Sequence, residues 1–153
     1  MLRSIRNDLV YLLGILNSIG KIKIYSEKYV SPEEFYKANN QLNFNACLSL
    51  LVNIGECANK LSDELKLIYP ETEWKKIIGL RNKVVHDYTG LDLLITYEVI
   101  KSNLPKLEKQ IIDILVTELK KGNFEREEYN IAKQSEFYRF IDFNKINLKS
   151  PEG

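Results

Sequence analysis

Trp74-Lys75-Lys76-Ile77-Ile78-Gly79-Leu80-Arg81-Asn82-Lys83-Val84-Val85-His86-Asp87-Tyr88 is the stretch from which the rest of the chain can be read. Trp74, Ile77, Ile78, Leu80, Val84 and Val85 recur three and four residues apart, the spacing of a helix with one buried stripe. Following that stripe from Trp74 and Ile78 leads to Arg81, then Val85, then Tyr88. Arg81 is therefore in line with the apolar face. A guanidinium keeps its charge and is rarely buried unpaired. It needs an anion, either a carboxylate of the protein or a phosphate of a ligand.

His86 is the only histidine of the chain. Five residues of helix turn through about 500°, so its position lies about 140° round from Arg81. It shares a face with Asn82 and Gly79, beside Lys75, Lys76 and Lys83. A glycine inside a helix costs about 1 kcal/mol relative to alanine, so Gly79 is expected to mark a close approach to the backbone. Arg81 and His86 can converge if the helix loosens near His86. They can also converge if two copies of the helix meet across a two-fold axis, Arg81 of one chain near His86 of the other. The second is preferred, with the first contributing. On spacing alone the plain alternative stands: a structural salt bridge and a cation complementing a helix C-terminus.

Length and composition set the frame. The 153 residues fit one domain with a sizeable core. Lys plus Arg number 22 and Asp plus Glu 21, unlike a strongly basic nucleic-acid binder. Any nucleic-acid contact must be local, and Lys75, Lys76, Arg81 and Lys83 supply a patch, although for Lys75 and Lys76 an ordinary solvated helix face is the better reading. Cys47 and Cys57 are ten residues apart, about 15 Å along one helix and too far for a disulfide. No zinc-ligand cluster, signal peptide or membrane-length apolar run is apparent, so no metal site, no membrane association and a cytoplasmic location are expected.

The remaining elements read as helices. Residues 4 to about 28 carry the stripe Ile5, Leu9, Leu12, Leu16 and Ile19, in which Gly14 and Gly20 weaken the helix or permit close packing. Ser31-Pro32-Glu33-Glu34 starts a short helix with a capping box. A second long helix is expected from about Leu42 to Ile68. Glu56 lies near its stripe, open to three roles: a partner for Arg81, an orienting group or a surface carboxylate. Thr89-Gly90 is expected to break the motif helix, and Asp92 to cap a long helix reaching about Lys120. Leu94, Tyr97, Ile100, Leu104, Leu107, Ile111 and Ile114 form its stripe, with a kink around Lys101 to Leu104 ahead of Pro105. Gly122 stops it. An aromatic-rich stretch follows, read as a short helix near Glu125 to Gln134 and then an extended arm. The sum is an all-α up-and-down bundle over residues 1–120, with residues 121–153 as an extension packing on the domain or on a partner.

Trp74 to Tyr88, followed by Gly90-Leu91-Asp92, closely resembles the HepT branch of the HEPN superfamily, whose mark is Arg-x-x-x-x-His-x-Tyr. Here that mark is Arg81, His86 and Tyr88. Asn53-Ile54-Gly55-Glu56-Cys57-Ala58 and Leu61-Ser62 also resemble the family's second long helix, and the likeness covers roughly residues 5 to 118. Asp87 stands where the family often has a small residue. The resemblance implies a HEPN-type bundle and a ribonuclease toxin of a type VII-like MNT–HEPN toxin–antitoxin pair. It further implies adenylylation of Tyr88 by the partner MNT nucleotidyltransferase antitoxin, which uses ATP.

The chemistry then expected is metal-independent endonucleolytic cleavage, in which the RNA's own 2′-hydroxyl attacks the adjacent phosphate. His86, with a reference pKa near 6.5, serves as proton acceptor or donor, and Arg81 holds the charged phosphorane. Asn82, Lys83, Asp87 and Glu56 are supporting or substrate-binding candidates. One histidine per chain makes a two-histidine mechanism depend on a homodimer with a composite site. The substrate is RNA, transfer or messenger, and no cofactor is expected beyond the ATP the partner consumes. The alternative is a catalytically silent HEPN-like module that binds nucleotide, RNA or a partner and dimerises.

Overall fold

The computed structural model describes residues 4–86 and 92–149, with the backbone alone at Val85 and His86. Among them every regular element is helical, giving the expected all-α up-and-down bundle. The main helices are α1 (Leu9–Ser26), α3 (Leu42–Lys60), α5 (Trp74–His86) and α7 (Leu104–Lys120). Shorter ones are α2 (Pro32–Lys37), α4 (Asp63–Ile68), α6 (Leu93–Glu98) and α8 (Arg126–Gln134). Helix α3 is central: it packs on α1 along one side and on α5 along the other, and α7 lies against α1. Leu12, Ile15, Ile54, Leu65, Ile111 and Leu115 lie fully inside.

Several local signals act as expected. Ser31 Oγ accepts from the Glu34 N–H and Pro32 opens α2. The Asp92 carboxylate accepts from the N–H groups of Leu94 and Ile95. Gly122, at φ +80°, ends α7 in a left-handed turn; its N–H reaches Leu119 O and the Asn123 N–H reaches Glu118 O.

Three expectations are corrected. The first helix begins at Leu9 rather than at residue 4, after a 3₁₀ turn over Ile5–Asn7. The second long helix ends at Lys60 instead of running to Ile68. Ser62 is extended there and caps α4, its Oγ accepting from the Leu65 N–H. The buried Asp8 carboxylate holds that break, accepting from both the N–H and the hydroxyl of Ser62.

The long helix after Asp92 leaves regular geometry where a kink was expected, ahead of Pro105. Val99–Asn103 form a widened π turn, in which the Leu104 N–H reaches back to Val99 O. Pro105 has no N–H and its ring presses on the preceding turn, so an extra residue ahead of it relieves the clash. Leu94, expected in the stripe, is instead exposed beside Ile95 on α6. A turn with no counterpart in the sequence reading joins α2 to α3: Asn39, Asn40 and Gln41 are all left-handed, with φ of 49°, 57° and 71°.

The stretch after Gly122 folds back on its own bundle. Phe124, Tyr129, Ile141 and Ile146 are buried. The Asn17 amide donates to Phe137 O at 3.0 Å, and Lys145 pairs with Glu108 of α7 at 2.8 Å. An added Cβ at Gly20 would stand 2.0 Å from Phe140 O, so α1 receives the arm where it has no side chain. Among the described residues, no helix is long and apolar enough to cross a membrane.

Candidate active site on the motif helix

Two contacts fix where α5 begins. The Trp74 indole N–H donates to Tyr69 O at 3.0 Å, and its ring is buried. Tyr69 in turn donates its hydroxyl to Glu118 at 2.6 Å. Glu118 is fully buried on α7 and also accepts from the Asn123 amide at 2.6 Å. Burial alone would raise its pKa, but the hydrogen bonds from Asn123 and Tyr69, with Lys121 nearby, outweigh it and hold the carboxyl below its usual range.

Helix α5 then crosses α3 most closely at Gly55. A Cβ placed there would lie 3.0 Å from Arg81 Cβ, 3.1 Å from Arg81 N and 3.1 Å from Ile77 O. The backbone of α5 thus rests on the one position of α3 that lacks a side chain. Because the backbones touch there, Arg81 has no room to enter the core, and its side chain runs outward. It remains 42% exposed, which corrects the expectation of an arginine placed in the buried stripe. Its Nε lies 2.8 Å from Oε1 of Glu56, the residue next to Gly55. Its Nη1 donates to Asn82 Oδ1 at 3.2 Å. The anion that the sequence position required is therefore a carboxylate of the protein, held by one nitrogen in a half-exposed pair.

The close packing approach expected at Gly79 falls at Gly55. Gly55 is the close-approach glycine. At Gly79 an added Cβ would meet no neighbouring atom within 4 Å among the described residues.

The backbone is helical through His86, the last residue of α5. Within the described backbone the positions of Arg81 and His86 are about 140° apart on one helix. The side chain of His86, and Asp87, Tyr88 and the expected break at Thr89-Gly90, lie outside the described residues. Asn82 and Lys83 are exposed. Lys75 is exposed as well, and Lys76 pairs with Glu73 at 3.1 Å on the surface.

On the Lys83 side, α5 forms one wall of a groove of about 410 Å³. The opposite wall is the π turn and the start of α7. Ile77, Leu80, Val99, Leu104 and Leu107 contribute its apolar surface; Lys76, Lys83, Lys106, Asn103 and Gln110 contribute polar groups. Sequence reading missed the α7 side of this groove. Its residues lie eighteen or more positions from Arg81 in the sequence, on the widened turn ahead of Pro105 and the start of α7.

Comparison with known proteins follows the same helices. The family described as Ribonuclease HepT-like matches residues 15–114. "Putative RNase MJ1380" of Methanocaldococcus jannaschii is 30% identical over 106 residues, covering 69% of this chain and 94% of the relative. "Putative RNase TTE0752" of Caldanaerobacter subterraneus is 35% identical over 91 residues, 60% of this chain and 80% of the relative. "Probable ribonuclease HepT" of Thermococcus cleftensis is 29% identical over 98 residues, 64% of this chain and 86% of the relative. No solved structure gives a significant match.

Proposed function

The chain belongs to the ribonuclease HepT-like family, and from that premise we propose that it is the toxin of a type VII-like MNT–HEPN pair, a metal-independent endoribonuclease. The observation that carries this reading is Arg81 itself. It stands half-exposed on α5, held by Glu56 through Nε and by Asn82 through Nη1. A guanidinium so held keeps N–H groups for a phosphate, which it binds in a fixed plane.

The RNA's 2′-oxygen attacks the adjacent phosphorus and the 5′-oxygen leaves, giving a 2′,3′-cyclic phosphate or its hydrolysis product. One imidazole takes the 2′-hydroxyl proton and a second protonates the leaving oxygen. Arg81 stabilises the phosphorane charge, while Asn82 and Lys83 hold neighbouring RNA. With one His86 per chain, two imidazoles require two chains. The 140° separation on α5 favours the same arrangement, a homodimer with Arg81 of one chain near His86 of the other. Asp87, beside His86, is the supporting carboxylate of this site.

The partner is a nucleotidyltransferase antitoxin that spends ATP to adenylylate Tyr88. Tyr88 is seven residues from Arg81 in the sequence. Phosphates added there compete with RNA for Arg81. On this reading Tyr88→Phe stays toxic in cells that carry the partner; full neutralisation of that variant would remove Tyr88 as the switch.

The direct test is cleavage of total RNA by the purified protein in excess chelator, beside His86→Ala. Cleavage lost in His86→Ala supports the mechanism. Strict dependence on Mg²⁺ would sink it. Binding of RNA with no cleavage by the unmodified protein, its intact mass checked, would favour the silent binding module.

A further inference from the structure

We propose that the groove between α5 and the π turn of Val99–Asn103 is a nucleotide subsite, taking a base and its flanking phosphates from the RNA beside the scissile bond. The proposal rests on the ribonuclease reading for its substrate class, and it adds a binding site on the side of α5 away from Arg81.

Gly79 is the first observation. A glycine within a helix costs about 1 kcal/mol, and packing accounts for that cost at Gly55 but not at Gly79. Among the described residues a Cβ at Gly79 would meet nothing within 4 Å, yet Gly79 lines the groove. The space is left for something outside the bundle.

The lining is the second. At about 410 Å³ the groove falls within the roughly 300–1,000 Å³ of small-ligand sites. Its floor is aliphatic, from Ile77, Leu80, Val99, Leu104 and Leu107. A flat base can cover such a floor, and the amides of Asn103 and Gln110 offer donors and acceptors to its edge. The Gln110 amide is only weakly engaged, at 3.5 Å from Glu71 O.

Charge is the third. Lys76, Lys83 and Lys106 face the groove against one carboxylate, Glu73, which pairs with Lys76. Among the described residues, Lys83 and Lys106 pair with no carboxylate. In a chain of net charge +1 this is a local concentration of cations. It matches a polyanion better than a second copy of the chain, because lysine is depleted in the cores of protein interfaces. Asn82 lies between Arg81 and Lys83 on the helix surface, about 100° from each, so an RNA strand crossing α5 over Asn82 joins the Arg81 edge to the groove.

The test is binding of a fluorescein-labelled single-stranded RNA octamer, 2′-O-methylated so that 2′-oxygen attack cannot cut it. Affinity is read by anisotropy over a salt series, with sedimentation in parallel, for the full chain, Gly79→Leu and Lys106→Gln. Gly79→Leu is expected to weaken binding roughly tenfold, a loss of about 1.4 kcal/mol, with its sedimentation unchanged. Lys106→Gln is expected to lower the log–log salt slope by about 0.7–1. Lys106 is exposed, so its variant keeps the test open if Gly79→Leu misfolds. Unchanged affinity and slope in both variants, or no binding by the unaltered chain, would overturn the subsite. So would a change of sedimentation in Gly79→Leu at constant affinity, which would assign the groove to a second copy. Because the probe cannot be cut, the two readings separate. Cleavage of ordinary RNA with variants that bind normally removes the subsite alone; groove-dependent binding without cleavage removes the ribonuclease reading alone.

Discussion

Arg81 rests against Gly55 so closely that a methyl group added to the glycine would sit 3.0 Å from Arg81 Cβ and 3.1 Å from Arg81 N. The neighbours are backbone and Cβ atoms, which cannot swing aside. Gly55→Ala must therefore lift α5 from α3, at a cost of about 1–3 kcal/mol. Gly79→Ala on the same helix pair meets open space and should stabilise by about 0.5–1 kcal/mol through helix propensity. Urea unfolding of the two variants checks the opposite signs.

Glu56 holds Arg81 through a pair that is 40% exposed on its side and 42% on the other. Such pairs are worth about 0–1 kcal/mol, so Glu56→Ala should barely move the unfolding midpoint. Its effect should appear in cleavage instead, as a fall in kcat of about tenfold, because Arg81 loses the contact that fixes its plane. Glu56→Gln keeps an oxygen acceptor and should recover most of the rate. Equal losses in both variants would show that the charge of Glu56, not its positioning, matters.

The motif helix and its demand for an anion were legible because both are local. A 3.6-residue period places Arg81, and a guanidinium on that period has few partners to choose from. What was not legible depends on distant contacts. Ser62-Asp63-Glu64 is a helix-start signal next to Leu61, but the carboxylate that holds Ser62 extended comes from Asp8, more than fifty residues earlier. Gly55 and Gly79 look alike in sequence, and only the helix crossing separates them. Pro105 announced an irregularity, but the widened turn and the groove wall it builds depend on how α7 meets α5.

The turn over Asn39-Asn40-Gln41 carries strain that the rest of the fold must hold. Asparagine tolerates left-handed backbone better than other non-glycine residues, which leaves Gln41, at φ 71°, as the costly member. Gln41→Gly is expected to stabilise by about 1 kcal/mol, measured by urea unfolding. A loss of stability would mean that the glutamine side chain offsets the strain through its own contacts.

Two buried carboxylates give stability opposite responses to acid. Glu118 is held below its usual pKa, so its contribution is present above the unfolded value, about 4.3, and is lost as pH falls through the folded one. Asp8 is shifted upward, because burial outweighs the hydrogen bonds from Ser62. Its ionised form is a cost above the folded pKa, relieved on acidification until the unfolded value near 3.9 is passed. Urea unfolding at several pH values should therefore show the unaltered chain gaining on Asp8→Asn as pH drops from 7 toward 4. Against Glu118→Gln it should lose ground below about pH 4.5.

The C-terminal arm gives the most local of these tests, since one hydrogen atom on α1 makes room for it. At Gly20 a methyl group would stand 2.0 Å from Phe140 O and 2.9 Å from Phe140 C, contacts that no rotamer change relieves. Gly20→Ala should therefore dislodge the arm around Phe140. The Asn17 bond to Phe137 O and the Lys145–Glu108 pair would be lost with it. The helices beneath should survive, because the core of α1, α3 and α7 does not pass through this contact. Helix propensity favours alanine at the same position by about 1 kcal/mol, which partly offsets the lost packing of Ile141 and Ile146. Limited proteolysis distinguishes the outcomes. Rapid cutting between Ser135 and Lys149, with residues before Gly122 protected, is the expected result. Cutting spread through α1 and α3 would show instead that the arm is part of the cooperative core.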